Sequence, residues 1–137
     1  MRFPFLSPYQ NEGQPTYMPF MPLRLNYQDH SLPVLALLDT GAMVNVLPYR
    51  MGLELGFVWE NQKVPLKLGG NLAASEARAV FVGVSIEGLA TKQLAFAWSQ
   101  SEKAPLLLGQ TNFFMEFDVL FARSALFFDV FPKGTLR

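Results

Sequence analysis

Alternating apolar and polar residues, together with short unbroken apolar runs, dominate the chain and predict β-strands. Residues 21–27 alternate as expected for a strand with one buried face. Turn-forming residues follow at 28–31, and residues 32–38 then form a second strand of the same hairpin. The end of that strand, residues 34–38, is apolar without interruption, which predicts burial on both faces. The chain therefore enters its first hairpin near residue 20.

Similar short segments continue toward the last residue. Further strands are predicted over 45–47, 63–68, 77–88, 89–98, 106–109, 117–121 and 125–131. A short helix is predicted over 48–56, with proline in its first turn and glycine at its end, and a second over 110–116. Many short strands separated by turns predict an all-β domain with one or two small helices.

The first 19 residues differ in composition from the rest. They contain four prolines among polar residues, which predicts an extended arm without regular structure, followed by a single folded domain over 20–137. Two interpretations of the arm stay open. It is either a frayed terminus or a segment that lies across the domain or a partner subunit. The second is suggested by its aromatic residues: Phe3, Phe5, Tyr9 and Tyr17, with Phe20 just beyond it.

Composition narrows the possible functions. The chain has 137 residues, enough for one domain with a proper core, and half of them are hydrophobic. Its formal net charge is zero, so we expect neither nucleic acid nor a membrane as a partner. With no cysteine and one histidine, we expect no metal and no cofactor. Neither a secretory signal nor a membrane span is evident, which predicts a cytoplasmic protein.

The chemically distinctive residues follow the buried apolar run. Asp39, Thr40 and Gly41 stand in immediate succession at its end. A lone carboxylate carried toward the interior is poorly solvated, so the local backbone must compensate for it. Gly41 allows a sharp turn that offers N–H groups to the carboxylate, and the Thr40 hydroxyl is expected to brace that turn.

This stretch resembles a known catalytic loop. Residues 37–42, Leu-Leu-Asp-Thr-Gly-Ala, are similar to the loop of aspartic proteases, in which two apolar residues precede Asp-Thr/Ser-Gly-Ala/Ser. A second element, Pro105 to Gly109, resembles the apolar strand ending in glycine that supports this loop, here through Leu107, Leu108 and Gly109. In a chain this short, the resemblance is to the retropepsin-like, single-domain branch, which includes retroviral proteases and bacterial relatives. It implies a closed acid-protease-like β-barrel that dimerises and shares one active site.

The resemblance also implies a mechanism. Peptide hydrolysis would use a water activated between two carboxyls that share a proton. Since the chain has one Asp-Thr-Gly, the pair would be two copies of Asp39 in a homodimer. Thr40 would hydrogen-bond across the interface, Gly41 would admit the substrate backbone, and Ala42 belongs to the same loop. The substrate would be an extended peptide with bulky apolar residues, for which Ala42, Val46 and Leu72 are candidate pocket residues.

A substrate-covering flap is predicted by position in the family. It comprises Leu68, Gly69, Gly70, Asn71 and Leu72. The other interpretation is an ordinary β-turn that uses glycine for its backbone freedom. Residues 67–77 contain no aromatic side chain, so a water-ordering tyrosine of the pepsin type is missing there.

Two departures from the family leave the mode of dimerisation open. Retroviral enzymes carry an acidic residue and an arginine where this chain has Met43 and Gln110. The terminal phenylalanines, Phe127, Phe128 and Phe131, belong either to an interface or to the core. The alternative function is a catalytically silent peptide-binding or dimerisation module of the same fold. A further possibility is an enzyme that is latent until the arm moves or is removed.

Overall fold

Ten short strands and one helix make up the described part of the fold. The structure is a computed structural model and describes residues 1–9 and 13–136. The strands are β1 (Arg2–Pro4), β2 (Phe20–Tyr27), β3 (His30–Leu38), β4 (Val46–Leu47), β5 (Pro65–Leu66), β6 (Ala77–Ser85), β7 (Lys92–Ser99), β8 (Leu107–Leu108), β9 (Phe117–Ala122) and β10 (Phe127–Pro132). The helix is α1 (Tyr49–Glu54), and single 3-10 turns span Trp59–Asn61, Gly70–Leu72 and Arg123–Ala125.

Six of the strands close into a barrel. Their order is β2, β3, β8, β4, β7 and β6, and β6 pairs back onto β2 to complete the ring. The pairings of β3 with β8 and of β4 with β7 are parallel, whereas β5 extends the sheet antiparallel to β6. This mostly β architecture with one short helix confirms the predicted acid-protease-like barrel. No helix in the described part of the chain is long and apolar enough to cross a bilayer.

Of the two predicted helices, one forms and one does not. Helix α1 follows Pro48 and ends before Gly56, whose φ of 92° suits a residue without a side chain. The prediction of a helix over 110–116 is wrong, since these residues form successive turns. Their backbone N–H groups do not form a consecutive i to i−4 series: those of Phe113 and Phe114 both donate to the Gly109 carbonyl, and those of Glu116 and Phe117 both donate to the Phe113 carbonyl.

An aromatic cluster fixes α1 against the barrel. The fully buried Trp98 stacks on Tyr49 at 5.4 Å between ring centroids and meets Trp59 edge-on at 5.2 Å. Its indole N–H donates to the carbonyl of Tyr49 at 3.0 Å. A Cβ on Gly52 would lie 2.2 Å from that indole nitrogen, so only glycine lets the helix approach so closely. The cluster holds the chain that leaves β4 in a fixed position.

The predicted arm contains regular structure in its first residues. Strand β1 pairs antiparallel with β10, which in turn pairs with β9, forming a separate three-stranded sheet. The expectation of an arm without regular structure is therefore wrong for Arg2–Pro4, because Phe3 and Phe5 are buried against Phe128. Residues 10–12 of the arm lie outside the described residues, and the domain boundary after residue 19 stays a prediction.

Charge and burial fix the same sheet. Arg2 donates to the Asp129 carboxylate at 2.9 Å, and this hydrogen bond holds the pKa of Asp129 below its usual range. Phe128 is fully buried, whereas Phe127 and Phe131 are half-buried. For Phe128, these positions favour the core interpretation over the interface interpretation.

Candidate active site

Asp39 lies where β3 leaves the barrel. Strand β3 runs parallel to β8 with Leu37 and Leu38 opposite Leu107 and Leu108, and the backbone N–H of Asp39 continues this pairing by donating to the Leu108 carbonyl at 3.0 Å. Leu38 and Leu108 are buried, but the Asp39 side chain is half-buried. The pairing of β3 with β8 therefore fixes the position of Asp39 at the end of the strand.

The turn after Asp39 stabilises the carboxylate. The backbone N–H of Gly41 donates to Asp39 Oδ1 at 2.9 Å, and that of Ala42 donates to the Asp39 carbonyl at 3.1 Å. A Cβ on Gly41 would lie 3.3 Å from Oδ1, so glycine keeps this contact uncrowded. Thr40 is exposed, and its hydroxyl takes part in no hydrogen bond with the described residues. The expectation that this hydroxyl braces the turn is therefore wrong, since the backbone N–H groups of Gly41 and Ala42 make the bonds of the turn. The predicted role of Thr40 across an interface stays a prediction.

The residues that follow β8 pack closely against the backbone of the loop that contains Asp39. A Cβ on Gly109 would lie 2.6 Å from the Val44 carbonyl oxygen and 2.7 Å from that of Ala42, so the two backbones touch there. The next two backbone N–H groups, of Gln110 and Thr111, donate to the carbonyls of Ala42 and Met43, each at 2.9 Å. Backbone hydrogen bonds thereby join the segment after β8 to the loop that follows Asp39.

Two side chains add hydrogen bonds to this contact between the segment after β8 and the Asp39 loop. Gln110 Nε2 donates to the Thr40 carbonyl at 2.7 Å, and Thr111 Oγ1 donates to the Met43 carbonyl at 2.7 Å. The Met43 side chain itself is 65% exposed. Where retroviral enzymes have an ion pair, this chain uses a neutral amide to brace its own loop.

Asn45 is a structural element of the site that the sequence analysis missed. Its side chain is fully buried, which is rare for an amide unless all its polar atoms are paired. Oδ1 accepts from the Gly109 N–H at 2.8 Å, and Nδ2 donates to the Ala95 carbonyl at 3.2 Å. The available signal was a single polar residue inside the apolar run 44–47.

A cavity of about 500 Å³, here called the flap-side cavity, lies on one side of the loop. Of the five predicted flap residues, Leu68, Gly69, Gly70 and Leu72 line it, and Asn71 does not. These residues belong to the connection between β5 and β6, in which Gly70–Leu72 is a single 3-10 turn. The remaining lining residues are Gly41, Ala42, Met43, Val44, Val46, Lys67 and Leu107, so the three predicted pocket residues share this cavity.

A second cavity, here called the Asp39-side cavity, has a volume of about 550 Å³ and shares no lining residue with the first. Asp39 and Thr40 line it together with Met18 and Phe121, each 38% exposed. The other lining residues are Phe5, Pro19, Leu37, Leu38 and Arg123. Residues 39–44 thus contribute to two cavities of similar size.

The comparison with known families agrees with this geometry. A model of the aspartyl protease family, which is related to the retropepsin-like proteases, matches residues 21–111. That match covers most of the chain and includes both the Asp39 loop and the supporting β8 element. The chain therefore belongs to the aspartyl protease family. No curated protein matches it.

Proposed function

We propose that the protein is an aspartic endopeptidase whose active site forms from two copies of Asp39 in a homodimer. One observation carries this proposal: the Asp39 carboxylate is held on one oxygen only. Oδ1 accepts from the Gly41 N–H at 2.9 Å, while Oδ2 has no donor among the described residues. A fixed carboxylate with one oxygen available at the rim of a cavity is suited to bind a water or a second carboxyl.

The chemistry requires two such groups. Two carboxyls in contact do not both ionise readily, so one stays protonated while the other acts as a base. The base takes a proton from water, and the water oxygen attacks the peptide carbonyl carbon as the acid protonates the carbonyl oxygen. The carboxyl that took the proton from water then donates it to the amide nitrogen, and the other carboxylate takes a proton from a hydroxyl of the tetrahedral intermediate. The C–N bond breaks, and an amine and a carboxylic acid leave. Each cycle returns the shared proton to the pair.

The second carboxyl comes from a second copy of the chain. The other aspartates are Asp29, in the turn between β2 and β3, and Asp118 and Asp129, on the two strands next to each other in the small sheet. Asp118 accepts the Leu136 N–H, and Asp129 is paired with Arg2. None of the three lines either cavity. A twofold axis beside Asp39 supplies the missing group.

The Asp39-side cavity is the face on which the partner approaches. Asp39 lines it, and Met18 and Phe121 contribute large, partly exposed apolar side chains to the same cavity. Apolar side chains at the centre of an interface supply most of the association energy. Since Gln110 is already bonded within its own chain, association depends on these contacts and not on a Met43–Gln110 equivalent of the retroviral ion pair.

The flap-side cavity accepts the substrate. Three glycines, Gly41, Gly69 and Gly70, line it together with Ala42, Val46 and Leu72. Glycine exposes backbone N–H and C=O groups, to which an extended peptide can bond as an added strand, and the apolar residues offer a pocket for its side chains. The substrate is therefore an extended peptide with a bulky apolar residue beside the cleaved bond.

The decisive experiment replaces the carboxyl without changing its shape. Asp39→Asn removes the base and the shared proton, so cleavage of an apolar peptide should fall by about 10³-fold or more. Asp29→Asn is the matched control and should keep full activity. Pepstatin should inhibit the wild-type protein, and sedimentation should show a dimer for all three proteins. Cleavage at the wild-type rate by homogeneous Asp39→Asn protein would overturn the proposal.

A silent protein would favour the other function of this fold. If the chain stays monomeric at high concentration and cleaves nothing at any pH, yet binds extended peptides, it is a binding module.

A further inference from the structure

We propose that Asn45 is a positioning residue that sets the separation of the two Asp39 carboxyls, an inference that rests on the proposed function. Asn45 lines neither cavity, and none of its hydrogen bonds reaches Asp39. Its influence passes through the backbone that it holds. Asn26 on β2 is a second hydrogen-bonded amide in the barrel and allows a matched comparison.

Asn45 joins three segments that are far apart in sequence. Its side chain accepts the Gly109 N–H at 2.8 Å and donates to the Ala95 carbonyl of β7 at 3.2 Å. Its backbone N–H donates to Asn112 Oδ1 at 2.9 Å. The Asn45 side chain has no exposed surface and its bond to the Gly109 N–H is buried, so water is not an alternative partner there. Removing the amide leaves the buried Gly109 N–H unpaired and takes the donor from the half-buried Ala95 carbonyl, so the segments must shift to regain partners.

The shift would reach Asp39 in two steps. Gly109 immediately precedes Gln110 and Thr111, whose backbone N–H groups hold the carbonyls of Ala42 and Met43 at 2.9 Å. The same loop presents the Gly41 N–H to Asp39 Oδ1. A Cβ on Gly109 would lie within 2.7 Å of the Ala42 and Val44 carbonyl oxygens, so the two backbones are in close contact and a displacement of β8 is transmitted to the loop.

Proton sharing is sensitive to such a displacement. Two close carboxyls push their pKa values apart, one below and one above the ordinary range, and these two values limit the pH–rate bell. When the carboxyls separate, their repulsion weakens and the two pKa values approach each other. The acid limb of the bell then moves to higher pH and the alkaline limb to lower pH. A narrower bell is therefore the signature of a misplaced pair.

The test measures the pH–rate profile of Asn45→Ala. Since misplacing a reacting group by about 1 Å can cost about 10²-fold, we expect kcat to fall by about 10- to 100-fold. KM should stay nearly unchanged, because the flap-side cavity keeps all its lining residues. The bell should narrow from both sides. Assays run below the unfolding temperature of every variant, at concentrations where sedimentation shows the dimer.

Asn26→Ala is the control for a purely structural effect. Asn26 lies on β2, where its Nδ2 donates to Ser85 Oγ at 2.8 Å, and it lines neither cavity. Its replacement should lower the melting temperature but leave kcat and the width of the bell as in the wild type. If Asn45→Ala does not fold, Asn112→Ala removes only the acceptor of the Asn45 N–H, and it should narrow the bell to a smaller degree.

The outcomes separate this inference from the proposed function. Suppose that the wild-type protein cleaves peptides through Asp39, but Asn45→Ala and Asn112→Ala both show the wild-type pH–rate profile. Asn45 then has a structural role only, and the inference is overturned. If the wild-type protein is inactive, or Asp39→Asn is as active as the wild type, the proposed function falls and the inference falls with it. Narrowing in the Asn45 or Asn112 variant, without narrowing in Asn26→Ala, supports it.

Discussion

The two cavities beside the Asp39 loop differ in the kind of surface that they offer. The flap-side cavity is lined by three glycines and by small or medium apolar side chains. The Asp39-side cavity has almost the same volume but is lined by bulky side chains, among them Phe5, Met18, Phe121 and Arg123. Exposed backbone favours pairing with an extended chain, whereas large side chains favour packing against another folded surface. The difference suggests one cavity for the substrate and the other for a partner.

The two cavities also come from different parts of the chain. All residues of the flap-side cavity lie between 41 and 107, inside the segment that matches the aspartyl protease family. Five residues of the Asp39-side cavity, Phe5, Met18, Pro19, Phe121 and Arg123, lie outside that segment. In the proposed dimer, the substrate side therefore lies within the segment that matches the family, and most residues of the partner side lie outside it.

The strongest test of this comparison places a charge on the partner side. Phe121→Asp puts a carboxylate into a face that must lose its water on association, so the dimer dissociation constant should rise by about 100-fold or more. Activity should fall at low protein concentration and recover as the concentration rises. Sedimentation and concentration-dependent cleavage measure the two effects.

Phe81→Asp is the control for this substitution. Phe81 is 65% exposed, more than Phe121, and it lines neither cavity. It should leave both the dimer and the activity unchanged. Equal weakening by the two substitutions would mean that general charge, and not this face, governs association.

The next test disturbs the contact between Gly109 and the Asp39 loop. In Gly109→Ala, the new Cβ would lie 2.6 Å from a backbone oxygen that cannot rotate away, and overpacking of this kind costs about 1–3 kcal/mol of unfolding free energy. The loop would shift with it, so activity should also fall. Denaturant unfolding measures the first effect. Gly69→Ala is the control, because a Cβ there meets nothing within 4 Å and its φ of −92° suits alanine. Equal loss of stability in both variants would contradict the inference that close backbone contact requires glycine at position 109.

The sequence predicts the strands of the barrel well because local patterns encode them, whereas the closed barrel itself was implied by the resemblance to aspartic proteases. Alternation over 21–27 and 77–88 sets which face of each strand is buried, and β2 and β6 appear almost where the pattern places them. Asp39 and Gly109 were recognisable because their chemistry is confined to short motifs. The turn after Asp39 follows from the need to solvate a carboxylate at the end of a buried strand.

The remainder depends on contacts between distant segments. The predicted helix over 110–116 does not form, since the N–H groups of Phe113 and Phe114 share the Gly109 carbonyl. Gly109 and the two residues after it are held against a loop about 70 residues earlier, which no local propensity reveals. Asn45 was missed for the same reason, since its partners Ala95 and Gly109 are remote in sequence. The arm was expected to lack structure because its prolines were weighed without β10, the strand that pairs with Arg2–Pro4.

The smallest expected effect concerns the substrate side. Leu72 is half-buried and packs at the edge of a small apolar cluster that borders the flap-side cavity. Leu72→Ala removes apolar surface that contacts the substrate equally in the bound and transition states, so KM should rise by about 5-fold while kcat stays nearly constant. Leu53→Ala, on the exposed face of α1, should change neither constant. The dimer dissociation constant should not move in either variant. If Leu72→Ala instead weakens the dimer as Phe121→Asp does, the flap-side cavity also takes part in dimerisation. The assignment of one cavity to the substrate and the other to the partner is then wrong.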